Sequence, residues 1–281
     1  MGTIVVVGGL NIDIIGTPFE EPLAGDSSPG AVRVSVGGVG RNIARTLRKL
    51  GDAVQLIAPV SRGSDGVFAR LDCDKLGIGL DAALDVDASC RYLCVNGPDG
   101  DLRLAVNDME AMERLTPEAI EKRLTLINAS DLIVVDANLP EDALETLAAR
   151  ARRPLVADPV SAPKAGRMRD ILKHLTAIKP NRAEAAALTG LAPENAPEAL
   201  AEALLHQGVR HVYLSLGAEG MFYAGSEGMI FAPVEVQRGR NFNGCGDAAT
   251  AAIAHGLVQN LSARETAKLA MQAAAEQAQE A

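Results

Sequence analysis

Thr3-Ile4-Val5-Val6-Val7-Gly8-Gly9 is the run on which the fold turns. Five β-branched residues in a row suit a strand buried on both faces, and the paired glycines end it in a turn. Downstream, Ile43, Leu47 and Leu50 recur at helical spacing over Asn42–Leu50, and Gly51 stops that helix. Val54–Ala58 reads as a second strand and Gly66–Leu76 as a helix closed by Gly77. Further strands are predicted at Leu132–Asp136, Leu155–Asp158, Ala177–Lys179 and His211–Ser215. Helices are predicted between them at Pro117–Ile127, Glu141–Arg150, Gly166–His174, Arg182–Thr189 and Pro197–Gln207. Such alternation implies an α/β fold: a mostly parallel central sheet with helices on both faces, and ligands at the carboxyl ends of its strands.

Two stretches depart from that pattern. Val32–Val36 and Leu102–Val106 alternate with period two, and the latter pairs with Arg91–Val95 across Asn96-Gly97-Pro98-Asp99-Gly100. Strands with one polar face belong in a half-exposed sheet, which places about 12–36 and 88–108 in a small β flap inserted into a single domain spanning 1–281. The Ala/Gln/Glu-rich last dozen residues are expected to be a frayed helix end.

Composition narrows the function. A chain of 281 residues, 48% hydrophobic and 22% charged, can bury a core without disulfides or metal. Its net charge of −9, with three Tyr, five Phe and no Trp, argues against a nucleic-acid binder. There is no apolar run of about 20 residues to span a membrane, and Met1–Gly8 carries no basic leader and no myristoylation pattern. Cys73, Cys90, Cys94 and Cys245 form no CxxC and sit beside no histidine at zinc spacing, so free thiols in a reducing cytoplasm are expected. His174, His206, His211 and His255 are scattered and receive no role.

Four short segments can carry chemistry. Asn243-Gly244-Cys245-Gly246-Asp247 runs into an alanine-rich helix, leaving unhindered N–H groups at a helix N-terminus where an anion binds, with Asp247 beside it; Asp247 could equally cap that helix. Gly37-Gly38-Val39-Gly40-Arg41-Asn42 also runs from glycines into a helix, and Asn42 can bond hydroxyls; a plain tight turn is the other reading. It lacks the spacing of a dinucleotide fingerprint, and the chain has no Walker loop, which sets aside an NAD-linked oxidoreductase. Asn11 and Asp13 lie just past the first strand on one side, suited to vicinal hydroxyls or to an Asx turn. Asn181 and Glu184 share one helix face and could form a capping box.

In this order, NxD, GGxGxN, NxxE and GxGD resemble the ribokinase-like (PfkB) family of carbohydrate and nucleoside kinases over essentially the whole chain. Within it the chain resembles the pseudouridine kinases, through Ala105-Val106-Asn107-Asp108-Met109, Asp136-Ala137-Asn138-Leu139-Pro140 and Asp158-Pro159-Val160-Ser161-Ala162-Pro163-Lys164-Ala165. The resemblance implies an ATP-dependent kinase acting on the 5′-hydroxyl of pseudouridine. The alternatives are another sugar or nucleoside kinase (ribose, adenosine, inosine or guanosine) or a non-catalytic nucleoside-binding relative. It implies that Asp247 takes the proton from the acceptor hydroxyl while the amides of Gly244, Cys245 and Gly246 hold the γ-phosphoryl. Asn11, Asp13, Gly38 and Asn42 would hold ribose hydroxyls, with Asn138 and Lys164 as neighbours. Asn181 and Glu184 would position Mg²⁺ through water, and Ser215, Gly217 and Gly220 would lead to the nucleotide site. The flap becomes a lid, and its exposed face a route to a homodimer.

Three departures from the family pattern stand out. Asn241-Phe242-Asn243 replaces the usual Asp-Thr lead into the glycines, which puts a monovalent-cation site in question. Cys245 replaces alanine, and only 34 residues follow Asp247 to finish an adenine pocket.

Overall fold

The computed structural model describes residues 1–22, 25–233 and 243–280. In chain order its elements are β1 (Thr3–Val7), β2 (Asn11–Pro18), β3 (Gly30–Gly37), α1 (Val39–Lys49), β4 (Ala53–Ile57), β5 (Pro59–Ser61), α2 (Ser64–Leu76) and β6 (Leu84–Val86). Next come β7 (Cys90–Asn96), β8 (Leu102–Asp108), α3 (Pro117–Glu121), α4 (Leu124–Ala129), β9 (Leu132–Asp136), α5 (Glu141–Arg150), β10 (Leu155–Asp158) and α6 (Ala162–Ala165). The chain finishes with β11 (Ala177–Ile178), α7 (Arg182–Thr189), α8 (Pro197–His206), β12 (His211–Ser215), β13 (Gly220–Gly225), β14 (Gly228–Pro233), α9 (Cys245–Val258) and α10 (Ala263–Glu280).

Among the described residues the main sheet has the order β14-β13-β12-β11-β10-β9-β1-β4, parallel from β12 to β4. The expected α/β class with a mostly parallel sheet holds. Its centre is β1, where Ile4 to Val7 are at most 1% exposed. Apolar packing covers both faces: Val5 and Val7 join Ile133 and Leu144 on one side, while Ile4 and Val6 join Ile43, Leu47 and Ile253 on the other. Each such buried aliphatic side chain contributes roughly 1.5–3 kcal/mol of burial. Because β4 lies on one side of β1 and β9 on the other, strand order reverses there, and the carboxyl ends of these strands are where open α/β sheets form their ligand crevice.

Several elements differ from the sequence expectation. Pro117–Ile127 is two helices, α3 and α4, broken at Lys122–Arg123, where the Arg123 guanidinium bonds the carbonyls of Ala82, Ala83 and Ala119. Gly166–His174 is a 3₁₀-helix. The antiparallel strands β13 and β14 extend the sheet beyond β12. The Ala/Gln/Glu-rich stretch expected to be a loose end is helical through its described residues: α10 runs to Glu280, with Ala267, Ala270, Ala273 and Ala278 buried. Alanine there permits close approach to α9, so packing holds a segment whose polar composition suggested a loose end.

A separate four-stranded sheet has the order β3-β2-β7-β8, and β5 and β6 pair on their own. In the four-stranded sheet Ile14 stands opposite Val34 and Leu93, and Leu93 opposite Val106, so these share one face. Asp13, Tyr92 and Asn107 share the other. No helix among the described residues is long and apolar enough to cross a membrane.

Candidate active site

Register alone brings acidic side chains together at the crevice. β9 and β10 end side by side, with Asp136 opposite Asp158. Both are almost fully buried, at 1% and 3% exposed. Asp136 accepts from the amides of Gly9 (2.8 Å) and Asn138 (2.9 Å). Burial pushes its carboxyl up to about 6 against those two bonds. A Cβ at Gly8 would lie 2.3 Å from Oδ2 of Asp136, so the turn after β1 admits the carboxylate only because it is glycine.

The helix α1 starts against the same turn. The Arg41 amide donates to the Gly9 carbonyl at 3.0 Å. Gly38, its N-cap, has φ of 101°, and a Cβ there would stand 2.5 Å from the Gly9 carbonyl oxygen. That conformation and that contact both require glycine. Asn42, one turn into α1, is thereby delivered to the crevice.

α9 supplies the other wall. Gly244 is its N-cap in the left-handed region, φ 78°, with no side-chain cap among the described residues. The first intrahelical bond runs from the Ala248 amide to the Gly244 carbonyl, so the N–H groups of Cys245, Gly246 and Asp247 point out of the helix end. Gln277 of α10 donates to the Asn243 carbonyl at 3.4 Å and accepts from Arg45 of α1, bracing the loop from two helices. Across this mouth Nδ2 of Asn42 donates to Oδ2 of Asp247 at 2.9 Å, joining residues 205 apart in sequence. Burial and then the neighbouring Asp158 push the Asp247 carboxyl up to about 7, while the Asn42 bond and Lys179 act the other way.

Beneath this loop lies Lys179, 5% exposed. Its Nζ is 3.5 Å from Oδ2 of Asp158, and a Cβ at Gly246 would come within 3.2 Å of it. Burial opposes the ammonium charge, but Asp158, Glu184 and Asp247 together hold it above its ordinary range. Thr250 donates to the same Asp158 oxygen at 2.5 Å, fastening the first turns of α9 to β10.

The other candidate residues fall into local groups. Asn11 donates to Oδ1 of Asp13 on one face of β2, and burial raises the Asp13 carboxyl to about 6 despite Arg41 nearby. Lys164 donates to Oδ1 of Asn138 at 2.6 Å, and burial lowers its ammonium. Asn181 and Glu184 form the complete capping box of α7: the Glu184 amide donates to Asn181 Oδ1, and the Asn181 amide to Glu184 Oε2, each at 2.9 Å. Asn181 Nδ2 takes Oε1 of Glu184 at 2.9 Å, and burial raises that carboxyl. Ser215 bridges to Asn181, and Gly217 and Gly220 form the turn from β12 into β13. Asn241 and Phe242 lie outside the described residues.

Among the described residues no cluster of three His, Cys, Asp or Glu could cage a metal. Each Glu184 oxygen accepts one N–H from Asn181 and keeps a lone pair. That donor set fits a hydrated Mg²⁺ held through its waters, as this ion commonly is.

Sequence reasoning quoted Asp136 and Asp158 within the segments of the resemblance but gave them no role, and it gave none to Lys179 or Thr250. The signal was present for the first two, since each is the polar residue that ends an otherwise apolar parallel strand. For Lys179 the hint was a charged residue between a strand and Pro180.

Residues 1–281 match the family described as pfkB family carbohydrate kinase. The pseudouridine kinase of Escherichia coli (strain K12) is 32% identical over 274 residues, covering 95% of this chain and 87% of that protein. The guanosine-inosine kinase of Exiguobacterium acetylicum is 27% identical, with 98% and 94% covered. The structure of Arabidopsis thaliana ribokinase complexed with ribose and ATP superposes with a TM-score of 0.86 at 22% identity, over 98% of this chain and 91% of that one.

Proposed function

Since the chain belongs to the pfkB family of carbohydrate kinases, phosphotransferases with an alcohol acceptor, we propose that it transfers the γ-phosphoryl of ATP to the 5′-hydroxyl of pseudouridine. One observation supports this most: a carboxylate, Asp247, held by Asn42 at 2.9 Å beside the N–H groups of the first turn of α9, which have no side-chain cap among the described residues. The similarity to a pseudouridine kinase supports the choice of nucleoside.

In this reading Asp247 orients the acceptor oxygen and takes its proton as that oxygen bonds to phosphorus. The N–H groups of Gly244, Cys245 and Gly246 hold the transferring phosphoryl and stabilise its charge. Asn11, Asp13, Gly38 and Asn42 hold ribose hydroxyls, with Asn138 and Lys164 as their neighbours. Ser215, Gly217 and Gly220 lead to the nucleotide. Glu184 and Asn181 hold the waters of Mg²⁺, which supplies charge neutralisation of the phosphates when bound. The sheet β3-β2-β7-β8 serves as the lid, excluding water from the site.

A substrate panel tests the proposal. With ATP and Mg²⁺, kcat/KM for pseudouridine is expected to exceed that for uridine, ribose, adenosine, inosine and guanosine by at least about tenfold, the discrimination expected of a site built to hydrogen-bond one base. Preference for any of the others overturns the choice of substrate. Nucleoside binding without phosphoryl transfer to any acceptor overturns the kinase.

The outer face of the lid carries a second part of the proposal, a homodimer. Val32, Val34, Leu104 and Val106 on that face are 50% to 74% exposed. Such a contiguous apolar surface marks an interface, and a second copy needs only the same face twice. Sedimentation is expected to give a dimer for the wild type and a monomer for Leu104→Lys. A monomeric wild type removes this part.

A further inference from the structure

Arg41 lies in the first turn of α1, 8% exposed, and the chemistry described above gives it no task. Its guanidinium is nonetheless held by two partners, Asp72 and Asn42. Nε and Nη2 both donate to Oδ2 of Asp72 on α2, at 2.9 and 2.5 Å. Nη1 donates to Oδ1 of Asn42 at 3.2 Å. The Arg41 backbone is fixed as well, through its amide on the Gly9 carbonyl.

A guanidinium can only donate, so whichever Asn42 atom faces Arg41 must be the carbonyl oxygen. The amide nitrogen is then forced to the opposite side, where it meets Oδ2 of Asp247. Were the amide turned over, Asn42 would set an oxygen against the Asp247 carboxylate and an NH₂ against Arg41, losing both bonds. Burying a guanidinium is costly unless it is paired, and Asp72 supplies the pairing. A lysine at this position would carry the charge without the planar fork that reaches Asp72 and Asn42 together.

We propose that Arg41, anchored by Asp72, is a positioning residue that fixes the Asn42 amide and through it the Asp247 carboxylate. This rests on the reading of Asp247 as the acceptor-side base. The relay Asp72–Arg41–Asn42–Asp247 couples the reacting carboxylate to α2, which packs beside strands β2 and β3 of the lid. Neither Arg41 nor Asp72 touches the reacting atoms, so the effect appears in turnover more than in nucleotide binding.

The experiment is a double-mutant cycle on the full chain with ATP, Mg²⁺ and the best acceptor of the panel. Arg41→Lys is expected to lower kcat by about 10- to 100-fold, the scale of a reacting group displaced by an ångström or less. KM for ATP stays within about twofold and the far-UV circular dichroism is unchanged. Arg41→Lys combined with Asn42→Ala is expected to be no slower than Asn42→Ala alone, because the arginine acts only through that amide. A wild-type kcat in Arg41→Lys, or losses that multiply in the double variant, overturns the inference. Asp72→Asn, nearly isosteric and at a partly exposed position, carries the same cycle where Arg41→Lys does not fold. A wild type that transfers no phosphoryl group refutes the kinase reading instead, so the two failures are distinct.

Discussion

Replacing Asp247 with asparagine is expected to cut kcat by about 10²–10⁴-fold, the usual contribution of a general base, while the protein remains folded. The side chains are nearly isosteric, and an asparagine oxygen still accepts from Nδ2 of Asn42. What disappears is the proton acceptor, together with one negative charge beside Asp158. The pH profile separates this from a structural effect. Burial, followed by the neighbouring Asp158, raises the Asp247 carboxyl to about 7, and only its ionised form can accept the proton. In the wild type kcat/KM is therefore expected to fall as pH drops through about 7 and to level off above it. In Asp247→Asn that acid limb vanishes along with most of the rate. Steady-state kinetics across pH, with circular dichroism to verify folding, measures both effects. A variant within tenfold of the wild type would falsify the role assigned to this carboxylate.

The second large effect concerns stability. Lys179→Met is expected to destabilise the protein by about 3–5 kcal/mol, the scale for removing one partner of a buried ion pair. The ammonium is 3.5 Å from Oδ2 of Asp158, and both residues are at most 5% exposed. Without it Asp158 keeps the bonds from Thr250 and the Val160 amide but loses its charge partner, with Glu184 and Asp247 close by. Adding Asp158→Asn removes the stranded charge, so the double variant is expected to be more stable than Lys179→Met alone. Urea unfolding of the three proteins reads this directly. Lys179→Met within about 1 kcal/mol of the wild type would show that solvent, not the lysine, compensates the carboxylate.

These two residues differ in how visible they were in advance. Asp247 announced itself because two glycines and an alanine-rich helix follow from local chemistry, and an anion site at a helix start depends on a few consecutive residues. Asn42 and the Asn11–Asp13 pair were visible for the same reason. Lys179 was not, since a lysine beside a proline is ordinarily a solvated residue, and only the convergence of β10, β11 and α9 buries it. Arg41 was quoted as part of a glycine motif, but its partner Asp72 sits on the next helix and shows no relation to it by spacing.

The same division runs through the fold. Local chemistry alone determined the strand–helix alternation, the parallel centre around Thr3–Val7 and the hairpin β7–β8, because hydrophobic period and turn residues act over short distances. Tertiary contacts decided the break between α3 and α4, where Arg123 serves carbonyls of the Ala82–Ala83 loop. They also decided the order of α10, whose alanines pack on α9 despite polar neighbours. Above all they decided the assembly of Asp136, Asp158, Lys179 and Asp247 at one crevice. That assembly follows from the neighbouring of strands in the sheet and the approach of one helix end, which residues far apart in sequence settle jointly through burial and pairing.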